Sequence, residues 1–351
     1  MMDFEKYLLE QIGMHPSVQP RDMVKCCYQA AFGAEHLLQD TAKAEAYLQR
    51  EYEETTAREV SLYEPISEGI CRVNLAAWKY HRLPVQWLFR MFVLSAAEKQ
   101  AGESRFLEYL HTVEEVLKKA DVPFSAAEWQ EYLQAYLASG ISAVHHSAEY
   151  RAAEQPAYRI VNRKWMRLLP VLQKTAEVIS EKGMCIIAID GRAASGKTTM
   201  AKALQEISGA DIVQMDDFFL PLGLRTAERF RQPGGNVHSE RFAAEVLPHL
   251  SENAPFSYRV FDCSRMDYNG VREIGEHPIR IVEGSYSCHP LFDRYADVTV
   301  FSDAEPEEQM VRIRKRNGEE MAEMFREKWI PLEEAYFQAY QIAEKVDIRL
   351  K

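Results

Sequence analysis

No two of the six cysteines have C-x-x-C spacing. Cys26, Cys27, Cys71, Cys185, Cys263 and Cys288 are scattered along the 351 residues, which excludes a zinc ribbon or a dithiol redox motif. Several sit inside apolar runs, where cysteine behaves as a small hydrophobe. A reducing, cytoplasmic setting is therefore expected. Long apolar runs are missing too: no stretch approaches the roughly 18 residues that a membrane span needs. Met1-Met2-Asp3-Phe4-Glu5-Lys6 has neither the basic nor the apolar region of a signal peptide. Positive charge is in deficit, with 42 Lys+Arg against 53 Asp+Glu and a net charge of −11. That balance argues against a nucleic-acid-binding surface, and no membrane partner is expected either. Internal repeats and low-complexity tracts are absent.

What remains is a chain rich enough in apolar residues, 47%, to bury two cores, and long enough to divide into two domains. Residues 1–160 read as an all-helical domain. Met23, Cys27, Ala30 and Ala31 recur at helical spacing, and Val85 to Ala97 is apolar on most sides. Residues 103–119 and 126–138 supply two more amphipathic segments, the latter closed by Ser139-Gly140. Glu35, His36, Arg72 and Asn74 could line a polar pocket with His145, His146 and Arg159, although buried structural hydrogen bonding explains them as well. A linker helix is expected over 161–183, ending at Gly183.

Beyond Gly183 the pattern switches to alternating strands and helices, the signature of a doubly wound parallel sheet. Strands are expected at 185–190, 211–215, 279–283, 297–301 and 346–350. Helices are expected near 197–207, 240–250, 305–316 and 326–344, with a hairpin or strand-loop excursion between Phe256 and Tyr268. The first strand runs directly into Gly191-x-x-x-x-Gly196-Lys197-Thr198, the full spacing of a phosphate-binding P-loop. Gly191 and Gly196 let the loop curl so that its N–H groups point inward. Lys197 can reach the β- and γ-phosphates, Thr198 can hold Mg²⁺, and the following helix adds its positive end. The nucleotide cradle is expected from Gly191, Ala194, Ser195, Gly196, Lys197, Thr198 and Thr199.

Two further strands end in acids. Ile212-Val213-Gln214-Met215 is followed by Asp216-Asp217, and Ile279-Arg280-Ile281-Val282 by Glu283-Gly284. A carboxylate at a strand's carboxyl end beside a P-loop can hold Mg²⁺ or take the proton of an acceptor hydroxyl. Arg312, Arg314, Lys315 and Arg316, then Arg326 and Lys328, form a basic helix–loop–helix suited to a lid that clamps phosphates.

On these residues, 184–351 resembles the uridine kinase-like branch of the P-loop kinases, related to phosphoribulokinase and pantothenate kinase. The matching stretches are Ile189-Asp190-Gly191 through Thr199, Met215-Asp216-Asp217-Phe218-Phe219, Val282-Glu283-Gly284 and the arginine-rich lid. The resemblance implies a five-stranded P-loop kinase domain that uses ATP and Mg²⁺. Asp216 would be the general base, and Thr198, Asp216 and Glu283 would hold the metal. Lys197, Arg312 and Arg316 would be catalytic cations, and the acceptor would be a small hydroxylated molecule such as a nucleoside. Acceptor-facing candidates are Asp217, Phe219, His238 and Asp262. The acceptor segments depart from the family pattern: His238 stands where an aspartate is expected, and no histidine follows Asp262. Arg225, Arg229 and Arg231 lie in the loop before this segment, where they could meet an anionic acceptor. A nucleotide-dependent switch or regulatory ATPase, whose helical half binds a partner, is the competing expectation.

Overall fold

The computed structural model describes residues 4–34, 40–98 and 102–351, and the chain divides into Met1–Arg167 and Leu168–Lys351. Glu35 and His36 lie outside the described residues.

The first unit opens with α1 (Phe4–Met14), α2 (Pro20–Phe32) and α3 (Thr41–Glu54). Pro20 sits in the first turn of α2, where its missing N–H costs nothing. Asp22 accepts from the Gln19 N–H to close the cap. Then come β1 (Tyr63–Pro65), β2 (Ile70–Asn74), α4 (Leu75–Tyr80), α5 (Val85–Ala96), α6 (Glu103–Leu117), α7 (Ala126–Ala138), α8 (Ala148–Glu154) and β3 (Tyr158–Asn162). The all-helical expectation holds for most of the unit but omits a three-stranded antiparallel sheet in the order β1-β2-β3. The apolar segment expected over 85–97 is α5, with Trp87, Leu88, Phe89, Met91 and Phe92 buried. Ser95 on its inner face accepts hydrogen bonds from Asn162 N at 2.8 Å and Trp165 Nε1 at 3.0 Å, which ties α5 to β3.

Of the two readings of the polar residues in this unit, the structure shows the hydrogen-bond network rather than an open pocket. Asp22 is 2.7 Å from His146 Nδ1, and His146 Nε2 is 2.7 Å from Tyr158 Oη. Arg72, only 7% exposed, donates to Gln11 and Gln29. The adjoining space, ≈ 10 Å³, fits a single water. Burial pushes the His146 imidazole down to about 4, against the opposing pull of Asp22. The other members lie elsewhere: Asn74 caps α4, Arg159 pairs with Glu51, and His145 is exposed.

The linker helix is shorter than expected. β3 runs to Asn162, a 3-10 turn covers Arg163–Leu168, and α9 (Leu169–Lys182) packs on the sheet of the second unit. There β4 (Cys185–Gly191), α10 (Lys197–Ser208) and β5 (Asp211–Gln214) are followed by three short helices: α11 (Ala227–Arg231), α12 (Ser239–Glu245) and α13 (Leu247–Leu250). β6 (Phe256–Asp262) and β7 (Asp267–Ile274) form an antiparallel hairpin. β8 (Ile279–Glu283), β9 (Val298–Ser302), α14 (Pro306–Asn317), α15 (Glu319–Met324), α16 (Ile330–Tyr340), α17 (Ile342–Lys345) and β10 (Ile348–Leu350) complete the chain.

The five parallel strands lie in the order β10-β9-β4-β8-β5. β4 and β8 are buried at every residue, so neither alternates: β4 is apolar through Ile189, and β8 is apolar up to Glu283 except for Arg280, whose buried guanidinium donates to backbone carbonyls such as Ala254 O. The strand order reverses at β4, so the carboxyl ends of β4, β5 and β8 open on one crevice, where ligands bind in such sheets.

Candidate active site: a P-loop facing two strand-end acids

The loop Gly191–Gly196 leaves β4 and delivers the chain into α10. Gly191 has φ +140°, and a Cβ there would lie 2.0 Å from the Ser302 carbonyl oxygen. Only glycine fits where β4 is paired with β9. Gly196 (φ 103°) and Ala194 (φ 54°) also take left-handed conformations, which curl the loop over the start of α10.

A cavity of ≈ 530 Å³ opens above this loop. Of the expected nucleotide residues, Ala194, Gly196, Lys197, Thr198 and Thr199 line it, while Gly191 and Ser195 form the loop behind. The expected metal residues all line it, and Thr198 Oγ1 lies 3.3 Å from Glu283 Oε2. Lys197 Nζ donates to Gly191 O at 2.7 Å and Arg192 O at 2.8 Å, so its ammonium is held over the loop it belongs to. Asp216 is exposed to the cavity, and desolvation by the surrounding walls raises its carboxyl above the ordinary value; Lys197 pulls it down and Asp217 adds to the rise. Burial raises Glu283 as well, with Asp216 contributing like-charge repulsion.

Of the lid cations, Arg312 and Arg316 line the cavity. Arg312 donates to Ala194 O at 3.2 Å, so α14 rests directly on the P-loop. Ile313, Ala322 and Ala193 form a small apolar cluster that fixes this contact. Arg314, Arg326 and Lys328 do not line the cavity; Arg326 pairs with Glu323 at the surface.

The acceptor-facing expectations need correction. Phe219 lines the cavity, but Asp217, His238 and Asp262 do not. The Asp217 carboxylate is turned into the protein, accepting from Arg272 Nε at 2.8 Å and Tyr258 Oη at 3.0 Å. Asp262 closes an exposed turn by accepting from Ser264. His238 leads into α12, and its backbone N–H donates to Phe218 O at 2.7 Å. Asn236, Tyr286, Ser285, Glu333 and Arg225, none of them among the expected acceptor-facing residues, line the same cavity.

Two buried carboxylates were missed by sequence reasoning. Asp190, fully buried, accepts from Gly191 N, Tyr286 N, Cys288 N and Tyr336 Oη at 2.7–3.1 Å. It thereby ties the P-loop to the turn after β8 and to α16. Glu333 accepts from Ala193 N at 2.9 Å and Ser285 Oγ at 2.7 Å, and burial holds its carboxyl above the ordinary range. Asp190 stood inside a quoted motif, so its position was visible; nothing in the helical pattern of residues 326–344 marked Glu333.

No family model matches the chain. Among solved structures, a candidate fructose transport system kinase from Silicibacter sp. TM1040 is similar at 19% identity. The match covers 48% of this chain and 90% of that one, with a TM-score of 0.40. A possible uridine kinase from Bacillus stearothermophilus is similar at 14% identity over 52% of this chain and 100% of its own, with a TM-score of 0.38. The strand order, the P-loop between β4 and α10, and the acids closing β5 and β8 give Leu168–Lys351 a P-loop kinase fold.

Proposed function

We propose that the second unit transfers the γ-phosphoryl group of ATP, with Mg²⁺, to a hydroxyl of a small molecule. The observation that carries this reading is the convergence of Lys197, Thr198, Glu283 and Asp216 on one cavity. A hydroxyl beside carboxylates is a hard oxygen donor set that suits Mg²⁺, which keeps coordination positions for phosphate oxygens and water. Among the described residues no cluster of three or more His, Cys, Asp or Glu could cage a metal, which fits a cation shared with its nucleotide. When bound, such an ion neutralises charge on the phosphates.

The chain's own residues supply the rest. The P-loop N–H groups and the start of α10 offer donors and a positive dipole end to the phosphates. Lys197, released from its own loop carbonyls, presents a point charge to them. Arg312 and Arg316 face the same space from α14 and offset negative charge as the phosphoryl group moves. Asp216 takes the acceptor's proton, and a carboxyl held above its ordinary value is a stronger base for that purpose.

Asp216→Asn tests the assignment in the full chain with Mg-ATP and a panel of nucleosides, sugars and vitamins. ATP binding by calorimetry should persist while transfer falls by about 10²-fold or more. A variant that transfers phosphate at the wild-type rate removes Asp216 from the role. Wild-type protein that hydrolyses ATP and phosphorylates nothing would favour the switch reading instead.

A further inference from the structure

We propose that the hydroxyl acceptor carries a negatively charged group, a phosphate or a carboxylate, seated on Arg225. The inference deepens the kinase reading and rests on it. Four cations line the cavity: Lys197, Arg312, Arg316 and Arg225. The first lies in the P-loop, and the next two come from the helix packed on it. Arg225 comes from the loop between β5 and α11, on the side of Phe219 and Cys263.

Its head group is aimed, since Nε donates to Leu220 O at 2.7 Å, and Nη2 lies 4.0 Å from Cys263 Sγ. Yet Arg225 forms no ion pair with any described carboxylate. Three neighbours do: Arg229 in α11 is held by Glu240 at 2.7 Å, Arg272 by Asp217 and Arg259 by Glu245. These three guanidiniums are matched with acids, whereas half-buried Arg225 faces the cavity without one, as Arg316 does from α14. A positioned guanidinium whose remaining N–H groups are free is a fork for the paired oxygens of a carboxylate or phosphate.

A second observation is independent of charge. Asn236 is 5% exposed and lines the same cavity, and its Oδ1 has no hydrogen-bond partner. A buried acceptor left without a donor costs free energy; the amide already meets Tyr286, and its Oδ1 is closed off from solvent, so it reaches a substrate hydroxyl only by turning toward the cavity. Asp216 then reads a hydroxyl while Arg225 reads a charge, so the acceptor class is a small hydroxylated anion, such as a sugar phosphate or a sugar acid. In the reaction, the acceptor oxygen bonds to the γ-phosphorus, the bond from that phosphorus to the β-phosphate oxygen breaks, and the hydroxyl proton passes to Asp216. The group on Arg225 is a handle and does not react.

Cys263 is exposed and serves as a reporter that needs no knowledge of the substrate. Alkylation of full-length protein with anionic iodoacetate and neutral iodoacetamide, read at the Cys263 peptide by mass spectrometry, gives a rate ratio from which the thiolate fraction cancels. Arg225→Gln should lower that ratio roughly fivefold, the effect of losing one unit charge about 4 Å away in water. An equal ratio in both proteins would overturn the anion site, whether or not any sugar tested is a substrate.

The second arm pairs D-ribose with D-ribose 5-phosphate and D-glucose with D-gluconate, using Mg-ATP and following ADP release. The charged member of at least one pair should be preferred, the pair showing the preference identifies phosphate or carboxylate, and Arg225→Gln should raise its KM about tenfold. Preference for the neutral members would overturn the inference while leaving the kinase reading intact. Loss of ATP binding, measured separately by calorimetry, would instead strike the kinase reading.

Discussion

Gly191→Ala and Gly183→Ala, compared side by side, measure how closely β9 grips the start of the P-loop. Both glycines have positive φ, +140° and +76°, so alanine at either pays the backbone strain of a left-handed conformation, about 1–2 kcal/mol. Their surroundings differ. Gly183 caps α9 with nothing within 4 Å of a built Cβ, whereas at Gly191 that carbon would lie 2.0 Å from Ser302 O and 2.8 Å from Ser302 N and C. The obstacle is backbone of a strand paired on both sides, and relief requires β9 to move by more than an ångström. Overpacking of this kind costs about 1–3 kcal/mol beyond the strain. The expected losses are about 1–2 kcal/mol for Gly183→Ala and about 2–5 kcal/mol for Gly191→Ala. For a unit of this size each kcal/mol shifts the midpoint by roughly 2–4 °C. Calorimetry of the two ligand-free variants, with ATP titrated afterwards, reads both stability and loop geometry. Gly191→Ala should lose clearly more stability and bind ATP more weakly. Equal midpoints for the two variants would refute the argument that contact with Ser302 excludes a side chain.

Two other outcomes are open to direct measurement. Lys197→Ala should weaken triphosphate binding severely in a folded protein, and unchanged affinity by calorimetry would remove the P-loop from its role. In the first unit, burial lowers His146 from the usual imidazole value near 6.5 to about 4. A depressed histidine contributes stability that is present above the unfolded value and is lost as pH falls toward the folded one. Wild-type thermal stability should therefore decline between about pH 6.5 and 4, by up to about 3 kcal/mol, and less steeply in His146→Asn. Identical pH profiles for the two proteins would contradict this assignment.

Much of the second unit was legible because its information is local. Cys185 to Ile189 is apolar at every position and Ile279 to Val282 at every position but Arg280, as suits strands buried on both faces, and the P-loop spacing fixes a strand–loop–helix order. The acids closing β5 and β8 could be placed because the carboxyl end of a strand is known from direction alone. Side-chain facing was not local. Asp216 and Asp217 are adjacent, yet one lines the cavity and the other is turned onto Arg272 and Tyr258 of the hairpin. His238 and Asp262 fell in segments aligned by resemblance, which gives position along the chain and not direction. Glu333 was hidden because it sits on a helix whose amphipathic pattern says nothing about a partner 140 residues away. The sheet of the first unit escaped because β1 has three residues and β2 five, too few for a period to show.

That small sheet constrains how the first unit comes off the ribosome. β2 pairs on one side with β1, a few residues upstream, and on the other with β3, where Cys71 Sγ meets Val161 O across 90 residues of chain. Closing a loop of that length is entropically slow and must precede any gain from the pairing. Until residue 162 has emerged, one edge of β2 is an open template, and α5 lacks the strand that Ser95 anchors. The helices α6 and α7, made in the interval, can dock on α2 early, but the sheet can close only when nearly all of the unit has been synthesised. A nascent chain stalled anywhere between α5 and α8 should thus be protease-sensitive around residues 63–74 and become protected in a single late step.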